Sequence, residues 1–146
     1  FICDWKSDII NRDSLVLFRA IKPNFEISAY IEKIKCVRLR NIIAKIRLSS
    51  HMLNIEYGRH LNIERNERKC ILCHKNEVED EFHFVLICSF FVVLRKKYIN
   101  KHYYIKPSMF KLVQLLNSDN ENILKKLSLF CKHAFKLRLD TLNNNR

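Results

Sequence analysis

The 146-residue chain contains one glycine and two prolines, where average usage would give roughly ten glycines. A dinucleotide-binding fingerprint, a P-loop and a kinase-type lid each need several glycines close together, so all three are excluded. An all-β sandwich or barrel needs more turn residues than Gly58, Pro23 and Pro107 supply. Long apolar runs are missing too. The longest, residues 84–94, is interrupted by Ser89 and ends at Arg95-Lys96-Lys97, short of the ~20 residues that span a bilayer. No membrane partner is expected. No charged segment leads into an apolar one after Phe1, so a secretion signal is not expected and the location reads as intracellular, nuclear or cytoplasmic. The opening Phe1 suggests a piece of a longer product. With 48% hydrophobic residues the chain is not disordered. What remains is a mainly α fold, long helices joined by polar turns.

Acidic side chains are also scarce: 15 against 27 Lys and Arg, a formal +12. The imbalance is local. Residues 1–34 are neutral, residues 35–69 carry nine basic and three acidic groups, and residues 89–146 carry twelve and three. Between the two basic flanks, residues 70–88 hold one lysine and four carboxylates.

Periodicity places the elements. Residues 5–10 and 15–21 read as short helical pieces, broken at Pro23-Asn24, so residues 1–27 form an N-terminal helical arm and 28–146 the main domain. Ser28 is a plausible N-cap for one long helix towards Leu53. Cys36, Leu39, Ile43, Ile46 and Leu53 form its apolar stripe, with Ile42 alongside. Gly58 is expected in the left-handed conformation that ends a helix, with loop over 59–79. Asp80 should cap a helix continuing to about Tyr98. Ser108 opens a short helix over 109–116, and Ser118-Asp119-Asn120-Glu121 is a capping-box pattern. The stripe Ile123, Leu127, Phe130, Ala134 and Leu137 follows it.

The six cysteines divide into two kinds. Cys3, Cys36 and Cys131 are solitary and read as core thiols. Cys70, Cys73, His83 and Cys88 form C-x2-C-x9-H-x4-C. Two thiolates on one turn can grip an ion from one side, and a histidine and a third cysteine at a helix start can close a tetrahedron. Three sulfurs and one nitrogen, with no open position, describe structural Zn²⁺. Residues 70–74 also spell C-x-x-C-H, a haem attachment pattern, but that reading needs an oxidising compartment and leaves His83 and Cys88 idle; His74 is expected to face solvent. Zn²⁺ with three thiolates carries about −1, and Glu77, Glu79, Asp80 and Glu81 lie around it. Nucleic acid is therefore expected on the basic flanks and not on the knuckle, which would staple the helix at 35–53 to the helix after Cys88. The expected contacts are Arg38, Arg40, Lys45, Arg47, Arg59, Arg65, Arg68, Lys69, Arg95, Lys96 and Lys97.

The motifs Arg47-Leu48-Ser49-Ser50-His51, Ile55-Glu56-Tyr57-Gly58-Arg59, Glu67-Arg68-Lys69-Cys70, Glu79-Asp80-Glu81-Phe82-His83-Phe84 and Leu94-Arg95-Lys96-Lys97-Tyr98-Ile99 follow one another in order. This run resembles the zinc-binding segment downstream of the polymerase in non-LTR (LINE-like) retroelement reverse transcriptases. The resemblance is specific over residues 47–99 and looser outside them. It implies a C-terminal accessory domain that helps the enzyme bind template RNA or target DNA, with an upstream polymerase domain as partner. The family's metal ligands fall on Cys70, Cys73, His83 and Cys88. Ser89 departs from the proline expected after the last cysteine.

No catalysis is expected. A polymerase palm needs adjacent aspartates, and the chain has no Asp-Asp pair. A restriction-like nuclease would show Pro-Asp, whereas Asn24 and Ser108 follow the prolines. Ser49, Ser50 and His51 lack a third partner nearby and read as a helix end. The carboxylates at 79–81 read as a helix N-terminus favouring negative charge. The alternative to nucleic-acid binding is a zinc-stabilised module that packs on a protein partner, suggested by Phe90-Phe91 and the stripe at 123–137.

Overall fold

The structure, a computed structural model, describes residues 2–145. Among these residues it is helical with no strand; the one bridge pairs Lys69 with Val78. In chain order the α-helices are α1 (Ile2–Ile10), α2 (Val16–Ile21), α3 (Ala29–Lys33), α4 (Val37–Arg47), α5 (Asn54–His60), α6 (Val92–Tyr98), α7 (Lys101–Tyr104), α8 (Met109–Leu116) and α9 (Glu121–Asn144). A π-turn, His83–Ile87, and a 3₁₀ turn, Ser89–Phe91, precede α6.

The central element is α9, on which α3, α4, α6 and α8 all pack. Its buried face is Leu124, Leu127, Phe130, Cys131 and Ala134. Phe84 stacks on Phe135 at 4.6 Å and meets Phe91 edge-on at 5.0 Å. Aromatic pairs in such geometry add to the free energy of area burial. Leu17 and Ile21 join the same core, and Asn117 donates to the Ile21 carbonyl at 2.8 Å.

The expected helix over 28–53 is broken. Ile34 is fully buried at the break between α3 and α4, and Cys36 becomes the extended N-cap of α4. Ile43, Ile46 and Leu53 are buried as the stripe requires, but Cys36 is exposed, and so is Cys3. Of the solitary cysteines, only Cys131 is a core thiol. Ser28 makes no capping bond; its hydroxyl lies 3.4 Å from Arg47. Asn120, rather than Ser118, caps α9 by accepting from the amides of Asn122 and Ile123. Both α4 and α6 pack on α9.

Gly58 does not end a helix. It is buried inside α5, and no described glycine has positive φ. Asn62 takes the left-handed conformation instead, at φ 55°. Ile63 N–H then reaches the Gly58 carbonyl at 2.9 Å and Asn62 N–H the Arg59 carbonyl at 3.1 Å, the paired bonds of a Schellman ending. Gly58 serves a close approach: a Cβ there would lie 2.6 Å from Arg68 Cγ. Arg68 crosses α5 to donate to the carbonyls of Ile55 and Ile63, each at 2.9 Å.

Candidate metal centre

The four ligand side chains are all buried, and their ligand atoms lie within 4.8 Å of one another. Cys70 and Cys73 sit on a tight turn closed by the Lys69–Val78 bridge. Cys70 N–H donates to Glu77 O and Glu79 N–H to Arg68 O, both at 2.9 Å. Asn76, at φ 54°, turns the chain at the far end of this loop; asparagine tolerates that region better than most residues.

His83 and Cys88 come from one well-bonded turn. Residues five apart on an α-helix point about 140° away from each other. Here Cys88 N–H bonds the His83 carbonyl at 2.7 Å, an i→i+5 bond that widens the turn and brings the two positions towards one side. Asp80 caps it as expected, accepting from His83 N–H at 2.9 Å. The expected continuous helix to Tyr98 is interrupted at Cys88, whose ψ of 122° turns the chain before α6.

Around the ligands, Cys70 Sγ and Cys88 Sγ are 3.8 Å apart, and Cys73 Sγ is 3.3 Å from His83 Nε2. His83 Nδ1 lies 3.0 Å from Glu77 Oε2. This carboxylate holds the imidazole with Nε2 towards the sulfurs, the outer-sphere arrangement of metal-bound histidines. Without a metal, the hydrogen bond to Cys88 and then burial push the Cys70 thiol up to about 12, while the Cys88 thiol is lowered by the same bond. The Cys70 thiol therefore holds its proton more firmly than an ordinary thiol. Burial lowers the His83 pKa, but contact with Cys70 and Glu77 outweighs it and the net shift is upward. The four residues are thus a group that could hold a metal ion. His74 is exposed, away from this cluster.

The carboxylates of the acidic island are not simply a helix N-terminus. Glu79 is buried, ion-paired with Arg138 of α9 at 2.7 Å, and accepts from Asn54 N–H at 2.8 Å. Glu81 is buried too, accepting from the Ser49 hydroxyl at 2.6 Å with His51 Nε2 at 2.9 Å. Ser49 and His51 therefore share a third partner that lies far away in the chain. The serine donates to the carboxylate and not to the imidazole. Arg138 and the Glu81 cluster are the residues that local spacing misses.

The eleven expected nucleic-acid contacts fall into groups. Arg38, Lys45, Arg65, Lys96 and Lys97 are exposed, Arg65 lying 3.6 Å from Asp80. Arg40, Arg59, Arg68 and Lys69 are half-buried, with Arg59 on Glu56 at 2.8 Å. Arg47 and Arg95 are only 2% and 4% exposed, and no strand could reach them. Arg47 donates to the Leu116 carbonyl at 2.7 Å and lies over the Tyr30 ring. Arg95 donates to the carbonyls of Val85 and Cys88 at 2.7 and 2.9 Å. Each satisfies carbonyls at a helix or turn C-terminus, where the macrodipole favours a cation. No described helix is long and apolar enough to cross a membrane.

Comparison with family models, with curated proteins and with solved structures finds no match to this chain.

Proposed function

We propose that the chain is a zinc-binding accessory module of a retroelement reverse transcriptase, binding RNA or DNA through its basic helical surface and catalysing no reaction itself. The observation that carries this reading is the closed Cys70, Cys73, His83, Cys88 cluster, with all four side chains buried. A buried four-ligand set with no open position suits a structural ion. Zn–S bonds of about 2.3 Å and Zn–N of about 2.0 Å give tetrahedral edges of about 3.8 Å for S–S and about 3.5 Å for S–N. The separations of 3.8 and 3.3 Å between ligand atoms are close to those edges, which supports zinc as the ion.

The burial of Glu79 and Glu81 takes two negative charges off the surface next to the knuckle, while Arg38, Lys45, Lys96 and Lys97 stay in solvent. Contacts of this kind bind phosphates with little sequence preference and weaken with salt. The nuclear or cytoplasmic location and the upstream polymerase partner belong to the same reading. Fluorescence anisotropy with single-stranded RNA and nicked DNA at about 50 mM salt tests it. Binding that weakens in Arg38→Ala/Lys45→Ala is expected. Absence of binding to either nucleic acid overturns it.

A second reading, a protein-interaction module, is favoured by a cavity of about 740 Å³ between α4, α5 and α9. Leu48, Met52, Phe135 and Leu139 give it an apolar lining. Light scattering of the metal-loaded chain with and without the parent's polymerase domain separates the two readings.

A further inference from the structure

A second cavity, about 530 Å³, lies where α6, α7 and the start of α9 meet. Its floor is the buried trio Ile99, Leu115 and Leu127. Around it stand Lys96, Lys97, Lys101 and Lys126, drawn from three helices, and no carboxylate lines it. None of the four lysines has an ion-pair partner among the described residues. Glu121, the acidic residue that opens α9, is held by Lys125 instead. Four like charges around one concavity repel one another, and an anion seated among them removes that cost.

The remaining polar groups point to the same ligand. Asn100 and Asn120, which also line the cavity, use their carboxamide oxygens to cap α7 and α9. Their NH₂ groups are left as donors. The wall therefore offers ammonium and amide donors, a set suited to an anion with many oxygens. The volume falls in the range of small-molecule sites and exceeds what one phosphate fills. Of the two tyrosines that line the cavity, Tyr98 is stacked on His133, with Lys97 Nζ 5.2 Å from its centroid, and Tyr104 is half-buried. The four lysines and the two carboxamides make charge the main element of recognition here.

We propose that this cavity binds consecutive phosphate groups, as a polynucleotide strand or a free polyphosphate carries them. The strand source rests on the nucleic-acid reading above; the polyphosphate source does not.

The test uses the full metal-loaded chain, with fluorescein-labelled oligo(dT) and inorganic tripolyphosphate as probes. Lys101→Gln/Lys126→Gln is compared with Lys6→Gln/Lys33→Gln, which removes equal charge from exposed lysines elsewhere. For oligo(dT), leaving two phosphates without a lysine should lower the log–log salt slope by about 1.4, at roughly 0.7 per phosphate on single strands. The control should keep the wild-type slope. A cavity variant that loses only tripolyphosphate binding assigns the site to free polyphosphate. Amide shifts at residues 100–101 and 120–126 on adding tripolyphosphate to the wild-type chain give a readout that needs no variant. If both variants behave alike with both probes, and those amides do not move, the proposal is overturned. Oligo(dT) binding that is insensitive to the cavity variant, with tripolyphosphate binding equally insensitive, leaves the nucleic-acid reading standing and removes this site. Tripolyphosphate binding that depends on Lys101 and Lys126, without any oligo(dT) binding, does the reverse.

Discussion

Arg138 closes on Glu79 with two bonds, 2.9 Å from Nε and 2.7 Å from Nη2, across 59 residues of sequence. The pair fastens the longest helix to the loop that carries the metal ligands. Glu79 also accepts from Asn54 N–H, so one buried carboxylate joins α5, α9 and the metal loop. Truncating one member of such a pair strands the other charge, at a cost of about 3–5 kcal/mol. Arg138→Ala should show that loss in urea unfolding. Glu79→Gln/Arg138→Met, which removes both charges, should be less destabilised than Arg138→Ala alone. A double variant as unstable as the single, or less stable, contradicts this account.

The metal centre should decide whether residues 65–90 hold their fold. A structural zinc of this type contributes roughly 10 kcal/mol of apparent binding free energy, and the turn carrying Cys70 and Cys73 is closed by the short Lys69–Val78 bridge. One zinc per chain is expected by elemental analysis. Cys73→Ala, or a strong chelator, should lower the melting temperature and abolish amide protection around the knuckle. An unchanged melting curve after complete metal removal would mean that the cluster is only a set of buried thiols.

Acid should weaken the metal before it weakens the helices. Thiols and imidazole must lose their protons to ligate. The Cys70 thiol, pushed up to about 12 in the metal-free chain, and the raised His83 both hold their protons more firmly than ordinary groups. A raised pKa means more protons to displace, so affinity falls as pH falls. Each displaced proton costs about tenfold in apparent affinity per pH unit. A chelator-competition titration between about pH 8 and pH 6 should show at least that slope. A flat profile excludes protonated ligands in the metal-free state.

The group that could hold a metal ion was legible because its signal is local. Cys70 and Cys73 lie three apart on one turn, and His83 and Cys88 five apart on the next. The mainly α character followed from the shortage of turn residues and the apolar periods of α4 and α9. The parts that spacing could not show depend on distant partners. Nothing in residues 47–51 marks Glu81 as the acceptor for both Ser49 and His51. Arg47 and Arg95 look like surface cations because each lies beside other basic residues. Their burial is set by the carbonyls of Leu116, Val85 and Cys88, which appear only when the chain is folded.

Gly58 shows the same conflict between local propensity and tertiary demand. On a solvent-facing helix, alanine would be favoured over glycine by about 1 kcal/mol. Here the added Cβ meets Arg68 Cγ at 2.6 Å, and moving that side chain disrupts its bonds to Ile55 and Ile63. Gly58→Ala should therefore destabilise, by about 1–3 kcal/mol as overpacking does. In an Arg68→Ala background the same change should become neutral or favourable. Equal effects in both backgrounds would show that the two residues do not interact.

The basic residues should separate into two classes when each is changed to alanine. Arg47 and Arg95 are buried, with guanidinium groups bonded to main-chain carbonyls. Removing either leaves those acceptors without a donor, a loss of roughly 1–3 kcal/mol for an unsatisfied buried group, with further loss of packing. Arg38 and Lys45 are exposed and make no ion pair among the described residues, so their removal should leave the melting temperature near wild type. Nucleic-acid affinity, measured below each variant's melting transition, should fall for Arg38→Ala and Lys45→Ala, with a salt slope smaller by roughly 1 for each phosphate that is no longer neutralised. For Arg47→Ala and Arg95→Ala the slope should be unchanged, because a group inside the core releases no counterions from a strand at the surface. A reduced slope in Arg47→Ala or Arg95→Ala with normal stability would place those side chains at the interface and contradict their buried geometry.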